Sequence, residues 1–269
     1  MPTKTKQEKV EINANIKLPF DAKEAYKLLR TNVMFTLSET KGCRVVGITS
    51  SIRGEGKSTC ALNLSYTFAQ TGARVLLIDM DMRLPSIHTK LEVGSKYGYG
   101  LSDYLVDKAT KREIIHSVNS YKNWNVIFSG SIPLIPAELI GSNNMKNLIA
   151  DLREQYDYII IDLPPVTIVS DALAAKDLCD GYLLMVRESY SDKHSLNNCI
   201  RQMDFIDAKI LGFVMTDVNG SVKSYSKKYG RYSRYYRKYG YYSHYGYGYG
   251  DGYKDAYKNA DKQIGNNQW

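Results

Sequence analysis

The 269-residue sequence contains no long hydrophobic run and only four cysteines. No stretch approaches the roughly 18 apolar residues of a transmembrane helix, and the start, MPTKTKQEKVEI, lacks the apolar core of a signal peptide. Cys43, Cys60, Cys179 and Cys199 form no C-x-x-C pair and no spacing typical of metal ligands. We therefore expect a cytoplasmic protein with free thiols, which excludes disulfide-built and zinc-built folds.

Excess positive charge is scarce outside one end of the chain. The formal net charge is +8, but the segment 221–269 holds ten Lys or Arg against three Asp and so carries +7. Residues 1–220 are therefore nearly neutral, and the basic pI of about 9.1 describes the last segment. A basic groove for nucleic acid on the folded part is not indicated, and we expect no nucleic-acid partner.

Apolar runs alternate with helical patterns over residues 21–220, and 43% of the sequence is hydrophobic, which is enough for a substantial core. This alternation predicts an α/β fold, with a mostly parallel twisted sheet and helices on both faces. We expect a flexible arm over 1–20, a folded domain over 21–220 and a tail over 221–269. The predicted strands are 45–48, 74–78, 126–128, 158–162, 181–186 and 210–215, and the predicted helices are 21–37, 58–70, 143–155, 170–178 and 192–206.

The segment Val45–Thr59, VVGITSSIRGEGKST, has the strand–loop–helix order of a phosphate-binding loop, which makes the predicted fold P-loop NTPase-like. Backbone N–H groups and the positive end of the helix dipole bind phosphate in such loops. Lys57 would reach the outer phosphates of ATP or GTP, and Ser58 would bind Mg²⁺. Ser51 stands where such loops usually have their first glycine. The predicted nucleotide-binding residues are Ser51, Ile52, Arg53, Gly54, Glu55, Gly56, Lys57, Ser58 and Thr59.

Acidic side chains follow two further predicted strands. Asp79 and Asp81 end one strand, with Arg83 close behind, and Asp162 ends another. Because the carboxyl ends of parallel strands meet at one edge of a sheet, these side chains should lie beside the phosphate loop. Hydroxyl and carboxylate oxygens are ligands that Mg²⁺ prefers. Ser58, Asp79 and Asp162 are therefore the candidate metal ligands.

The helix predicted over 21–37 begins with a capping box formed by Asp21 and Glu24. Glu24, Lys27 and Arg30 recur every three residues along one stripe of this helix. Two interpretations stay open. The stripe is either a solvated face with local ion pairs, or an oligomer contact in which Glu24 pairs with a basic residue of a neighbouring subunit.

The last segment holds 13 of the 23 tyrosines within 33 residues. Gly, Ser, Lys and Arg fill the gaps, so the segment cannot build a core and we expect it to be disordered. Such a coil spans roughly 30 Å, or about 110 Å when fully extended. The tyrosines are Tyr225, Tyr229, Tyr232, Tyr235, Tyr236, Tyr239, Tyr241, Tyr242, Tyr245, Tyr247, Tyr249, Tyr253 and Tyr257.

Together these motifs resemble the cytoplasmic half of the bacterial tyrosine kinases of capsular and exopolysaccharide synthesis, over nearly the whole chain. The tyrosine cluster closes the chain as it does in that family. Lys27 replaces the first arginine of the family's Glu-x-x-Arg-x-x-Arg oligomer motif. The resembling stretches are EAYKLLRTNVMF at 24–35, the Walker A loop TSSIRGEGKST, the second Walker motif LLIDMDMRLPSIH at 76–88, the linker helix PAELIGSNNMKNLI at 136–149, and the Walker B strand YDYIIIDLPPV at 156–166.

The resemblance implies a protein-tyrosine kinase that uses ATP and Mg²⁺. Residues 57–59 would bind the nucleotide, and Asp162 would support Mg²⁺. Asp79 or Asp81 would accept the tyrosine hydroxyl proton or hold the metal, and the two roles are not assigned between them. Arg83 would stabilise charge. The tyrosine tail would be the substrate, phosphorylated in trans within a ring-shaped homo-oligomer.

The resemblance also implies partners and a location. A separate transmembrane polysaccharide co-polymerase would activate the kinase and hold it at the inner face of the cell membrane. A protein tyrosine phosphatase would oppose it. The kinase would thereby regulate the polymerisation and export of capsular polysaccharide or exopolysaccharide.

Two alternative functions are weighed against the kinase. A ParA/MinD-like ATPase switch would carry a signature lysine five residues before Lys57, where this chain has Ile52, and the tyrosine tail also argues against it. Thr216 stands where related ATPases often place an asparagine near adenine. The tail could instead be an aromatic and basic module for polyanions, a reading that the intact nucleotide motifs make secondary.

Overall fold

The computed structural model describes residues 12–14, 16–94 and 97–218, which belong to one compact unit. Its strands are β1 Arg44–Ser50, β2 Val75–Asp79, β3 His116–Val118, β4 Tyr121–Ile127, β5 Tyr158–Asp162, β6 Gly181–Arg187 and β7 Ile210–Thr216. Its helices are α1 Phe20–Thr36, α2 Lys57–Ala69, α3 Ile87–Lys90, α4 Leu101–Leu105, α5 Lys111–Ile114, α6 Pro136–Ile140, α7 Asn143–Arg153, α8 Asp171–Ala174 and α9 Lys193–Phe205, with a 3₁₀ helix at Lys176–Leu178.

The strands form one sheet in the order β3-β4-β2-β5-β1-β6-β7. Every neighbouring pair is parallel except β3 and β4. The carboxyl ends of the parallel strands therefore lie along one side of the sheet, and their amino ends lie along the opposite side. We call the edge after Ser50, Asp79 and Asp162 the carboxyl edge, and the edge where β1, β2 and β5 begin the amino edge.

Helices cover both faces of the sheet, so the central strands are buried on both sides. In β5, Ile159 and Ile161 pack on the side of α7, against Leu148 and neighbouring residues. Ile160 points to the other side, where it joins the cluster that contains Phe68 of α2. Two-sided burial is the reason that these strands read as continuous apolar runs rather than as alternating patterns.

The predicted fold is confirmed, and most predicted elements agree with the observed bounds to within one or two residues. Two differ more. Strand β4 begins at Tyr121, five residues before the predicted start. The prediction missed its first half because the side chains there alternate between exposed and partly buried, so the sequence shows no apolar run. The helix predicted over 170–178 is interrupted at Ala175 and continues as the 3₁₀ helix.

The N-terminal arm predicted over 1–20 is attached to the sheet at Ile12. The side chain of Ile12 is fully buried, and its carbonyl accepts a hydrogen bond of 2.9 Å from the backbone N–H of Asn119. Burying such a side chain contributes about 1.5–3 kcal/mol, so this part of the arm is not free. A single apolar residue produces no periodicity, which is why the pattern did not reveal it.

Residues 1–11 of the arm and the whole predicted tail, with its tyrosines, lie outside the described residues. Among the residues that are described, no helix has the length and apolar composition needed to span a bilayer.

Candidate functional site

The phosphate loop lies between β1 and α2 at the carboxyl edge. Gly54 and Gly56 have φ angles of +80° and +91°, a region that side chains disfavour. A Cβ at Gly54 would also lie 3.1 Å from the hydroxyl of Tyr190. The backbone conformation of the loop therefore favours glycine at both positions. Lys57, at the first position of α2, is largely buried.

Glu55 holds the loop from inside. Its carboxylate is fully buried and accepts hydrogen bonds from the Ser51 hydroxyl at 3.1 Å and from the backbone N–H of Ile52 at 2.9 Å. The hydroxyl of Ser191, which follows β6, also donates to this carboxylate. Ser51 thus has a structural role at the position where a glycine was expected. The sequence analysis missed Ser191, because no motif links two residues 136 positions apart.

The ends of β6 and β7 also bind the outer side of the loop. A guanidinium nitrogen of Arg187 donates to the Gly54 carbonyl at 3.3 Å, and the Thr216 hydroxyl donates to the Glu55 carbonyl at 3.0 Å. Thr216 is therefore committed to the loop backbone. Of the other predicted loop residues, Arg53 and Thr59 are exposed, and Thr59 accepts a hydrogen bond of 3.0 Å from the Lys90 ammonium.

Asp79 and Asp162 lie next to each other at the ends of two paired strands. Both are fully buried. One oxygen of Asp79 accepts hydrogen bonds from the backbone N–H groups of Ser86 and Ile87, at 3.1 and 3.0 Å, which fixes the start of α3. The other oxygen of Asp79 and both oxygens of Asp162 have no donor in full hydrogen-bonding geometry among the described residues.

Asp81 and Arg83 line a cleft of about 170 Å³ together with Lys57 and Ser58. One oxygen of Asp81 accepts a hydrogen bond of 3.1 Å from the backbone N–H of Leu84, which orients its carboxylate. Arg83 makes a bidentate ion pair with buried Asp171, at 2.8 and 2.9 Å. The structure therefore brings Asp81 into the cleft, and it ties the guanidinium of Arg83 to a residue that the sequence analysis did not single out.

The electrostatics of this acidic group follow from burial. Burial raises the pKa of Asp162 to about 7, and the nearby Ser58 hydroxyl and Lys57 ammonium oppose that shift. Burial, reinforced by the charge of Asp162, raises the pKa of Asp79 well above its ordinary value. Burial also raises the pKa of Asp81, where the Leu84 N–H and the Lys57 ammonium act in the opposite direction. A cation beside these carboxylates would favour their charged forms.

The donor set suits Mg²⁺. Buried carboxylate oxygens without protein donors stand near a serine hydroxyl at the start of α2, and all of these are hard oxygen ligands. The described residues contain no cluster of three or more His, Cys, Asp or Glu arranged to hold a metal. An ion here would therefore complete its shell with phosphate and water, which is the usual habit of Mg²⁺.

The predicted oligomer residues lie on α1, apart from the nucleotide cleft. Lys27 forms an exposed ion pair of 2.6 Å with Glu24, as the local interpretation expected. Arg30 donates a hydrogen bond of 2.8 Å to the Thr67 carbonyl of α2. The same helix leaves Phe20, Leu28 and Phe35 well exposed.

Comparison with known proteins identifies related chains. A family model described as an AAA domain matches residues 43–210. The tyrosine-protein kinase YwqD of Bacillus subtilis (strain 168) is 36% identical over 209 residues, which cover 78% of this chain and 85% of that protein.

Solved structures share the architecture. The kinase domain of the Escherichia coli tyrosine kinase ETK superposes with a TM-score of 0.69 at 26% identity, covering 92% of this chain and 89% of that one. The septum site-determining protein MinD from Pyrococcus horikoshii OT3, in complex with Mg-ADP, reaches a TM-score of 0.56 at 20% identity over 69% of this chain and 76% of its own, a likeness of fold alone.

Proposed function

This chain belongs to the bacterial tyrosine-protein kinases, and from that family membership we propose that it transfers the γ-phosphoryl group of ATP to the tyrosines of its own segment 221–269. One observation carries the proposal: Lys57, Ser58 and Asp81 line a single cleft, and each of them lies close enough to Asp162 to act on the pKa of that carboxyl. The same chain supplies 13 closely spaced tyrosines.

The phosphate loop binds and orients the nucleotide. The backbone N–H groups of residues 53–59 and the positive end of α2 attract the phosphates, and Lys57 neutralises charge on the outer ones. Preorganised donors of this kind do not need to reorganise as charge develops. Glu55, Ser191 and Thr216 contribute by holding the loop in shape.

Asp81 is the proposed proton acceptor. It lines the cleft and is slightly exposed, whereas Asp79 is fully buried and already caps α3. As the tyrosine oxygen forms its bond to the γ-phosphorus, the hydroxyl proton passes to Asp81 and the bond to the ADP leaving group breaks. Arg83, held by Asp171, is the proposed stabiliser of the developing charge.

Ser58, Asp162 and the free oxygen of Asp79 are the proposed ligands or water-mediated supports of Mg²⁺. Magnesium bound there would neutralise negative charge on the transferring phosphates. The ion would also offset the desolvation that raises the pKa of these carboxylates in its absence.

Assembly in trans is the second part of the proposal. We propose a ring-shaped homo-oligomer in which Glu24, Lys27 and Arg30 of α1 contribute to the contact between subunits. The exposed apolar side chains of α1 give that contact area to bury. Phosphorylation adds about −1.5 to −2 charges per tyrosine, so about four phosphates would cancel the +7 of the tail and would favour release of the ring. Glu24→Ala, Arg30→Ala protein that stayed a ring would contradict this part.

The proposed setting is polysaccharide synthesis at the inner face of the cell membrane. A transmembrane co-polymerase would activate the kinase, and a protein tyrosine phosphatase would reverse its action. Relatives named as tyrosine-protein kinases, among them YwqD, support the activity. The partners follow from the resemblance of the motifs to the family.

A nucleotide-dependent switch of the MinD kind is the alternative. The shared fold favours it, but Ile52 occupies the place of the signature lysine of that group.

The deciding experiment is autophosphorylation with Mg²⁺·ATP, with wild type beside Lys57→Met, and with and without the cytoplasmic segment of the activator. Mass spectrometry maps the sites. We expect phosphate on the tyrosines of 221–269 in wild type and none in Lys57→Met. Steady ATP hydrolysis without any phosphotyrosine, even with the activator, would favour the switch.

A further inference from the structure

A second cavity, of about 780 Å³, opens at the amino edge of the sheet, where β1, β2 and β5 begin. It is larger than the cleft at the phosphate loop and lies at the opposite ends of the same strands. Neither the catalytic mechanism nor the proposed ring uses it. Its cationic lining residues are Lys41, Arg44, Arg74 and Arg153.

Two of these cations are already neutralised. Arg74 donates two side-chain hydrogen bonds to one oxygen of Asp157, at 3.2 and 2.7 Å. Arg153 binds both oxygens of Asp180, at 3.0 and 3.1 Å, and donates to two backbone carbonyls as well. These pairs build the floor of the cavity and leave no net charge there.

The other two cations remain available. Among the described residues, neither Lys41 nor Arg44 has a carboxylate within ion-pair distance. The Nε of Arg44 donates to the Leu37 carbonyl at 2.9 Å, and its guanidinium lies 5.6 Å from the ring centroid of Tyr158. The Nε nitrogen and the flat face of the Arg44 guanidinium are thus held in place. Within the described residues, its two terminal nitrogens remain available to a ligand. A guanidinium fixed in this way is preorganised for phosphate.

The wall beside Arg44 contains two aromatic residues that are nearly buried, Tyr158 at 7% and Phe68 at 1% exposure. Tyr158 stacks on Phe68 with ring centroids 4.0 Å apart, and the half-exposed Met34 also lines the cavity. Glu154 is the one acidic lining residue without an ion pair in the described part of the chain, and it would repel an anion. As far as the described residues go, the cavity therefore offers two cations without an ion pair, an apolar surface to which Met34 contributes most, and a single opposing charge.

We propose that this cavity is a binding site for phosphotyrosine, supplied by the tyrosine-rich segment 221–269 of a second copy of this chain. Lys41 and Arg44 would bind the phosphate, and the half-exposed Met34 with the edge of Tyr158 would contact the ring. An aromatic phosphate ester matches both features, whereas an acidic side chain matches only the charge. The identity of the source rests on the proposed kinase activity, because that activity creates phosphotyrosine in this segment.

The length of chain allows the segment to reach the site. The structure describes the chain up to Val218 at the carboxyl edge, and a seven-residue strand is about 23 Å long. The residues between 218 and Tyr247 could extend to roughly 95 Å. Within the proposed ring, attachment of the segment to a neighbouring copy keeps its effective concentration near millimolar, so a weak site would still be occupied. Bound phosphotyrosine would be withdrawn from the catalytic edge, which would make the site a reader of the enzyme's own product.

Binding of a synthetic peptide tests the site directly. The full-length Lys57→Met protein, which does not phosphorylate its own tail, is titrated by calorimetry with the peptide GYGYG, residues 246–250, phosphorylated at Tyr247. We expect measurable binding that is unchanged by saturating ADP. Lys41→Gln should weaken it at least threefold and Arg44→Gln about tenfold. Glu154→Gln should tighten it.

The controls separate this site from general charge effects. Lys108→Gln removes one exposed positive charge outside the cavity and should leave binding unchanged. Phenyl phosphate should compete better than inorganic phosphate. Equal binding of the unphosphorylated peptide would overturn the proposal, as would equal competition by inorganic phosphate or indifference to both Lys41→Gln and Arg44→Gln.

Because Arg44 also donates to the Leu37 carbonyl, the melting temperature of each variant is measured. If Arg44→Gln is unstable, Lys41→Gln still tests the site, because Lys41 is exposed. The titration needs no kinase activity. If the protein binds the peptide but does not autophosphorylate, the proposed function is wrong and the binding site stands. If it autophosphorylates but does not bind the peptide, the proposed function stands and the binding site is wrong.

Discussion

The carboxylates at the two edges of the sheet differ in the hydrogen-bond donors around them. At the carboxyl edge, Asp79 and Asp162 are buried side by side with three oxygens lacking a donor in full geometry among the described residues. At the amino edge, Asp157 and Asp180 each accept two hydrogen bonds from an arginine side chain. Buried carboxylates without donors destabilise a fold, so their presence at one edge only indicates that this edge is organised for a ligand and the other mainly for stability.

The largest expected effect is on catalysis at the carboxyl edge. Asp81→Asn keeps the size and the hydrogen bond to Leu84 but removes the proton acceptor. We expect the rate of tyrosine phosphorylation to fall by about 10²–10⁴, while Mg²⁺·ATP binding measured by calorimetry stays close to wild type. Loss of nucleotide binding of the same size would instead indicate that Asp81 acts mainly on the metal.

Breaking the Arg153 pair should have the largest effect at the amino edge. Arg153→Ala removes the guanidinium from the partly buried Asp180, which keeps the backbone N–H of Val45, and it takes the Arg153 donor from the carbonyls of Cys43 and Leu178. We expect the free energy of unfolding to drop by about 2–3 kcal/mol, measured by urea denaturation. Phosphorylation at a temperature where the protein is folded should be unchanged, and a catalytic defect under those conditions would erase the distinction between the edges.

The pH dependence of stability should report the acidic pair in protein freed of metal by a chelator. Because burial raises the pKa of Asp162 to about 7, the folded state keeps this proton where the unfolded chain, with an ordinary pKa of 3.8, has lost it. Stability should therefore decrease as pH rises from about 4 to 7, by at most about 1.4 kcal/mol per pH unit for this group. Asp162→Asn should flatten the slope of melting temperature against pH and abolish Mg²⁺-dependent activity. A slope that is unchanged in Asp162→Asn would rule out this residue as its source.

The smallest effect is expected for the exposed pair at the amino edge. Arg74→Gln breaks the ion pair with Asp157, but both side chains are about half exposed and water replaces the lost contact. The melting temperature should change by less than about 2 °C, measured by calorimetry beside Arg153→Ala. If the melting temperature of Arg74→Gln fell as far as that of Arg153→Ala, solvent exposure would not explain the difference in strength between the two ion pairs.

Local patterns in the sequence were sufficient for much of the carboxyl edge. The run VVGITSSIRGEGKST predicted the strand, loop and helix because each step depends on neighbours in sequence. Asp79 and Asp162 were predicted to meet because parallel strands end together, and the structure pairs them in register. The sequence analysis did not identify Ser191 or Asp171 as site residues, because their partners Glu55 and Arg83 lie 136 and 88 positions away in the sequence.

The sequence alone therefore determined the order of strands and helices, the phosphate loop and the acids that follow the strands, because periodicity and turn chemistry act over a few residues. The tertiary structure decided the rest: that Asp79 caps α3 while Asp81 faces the cleft, that Ile12 joins the core, and that Lys41 and Arg44 border a cavity at the amino edge. These outcomes depend on contacts between distant segments, which exist only once the sheet has brought those segments together.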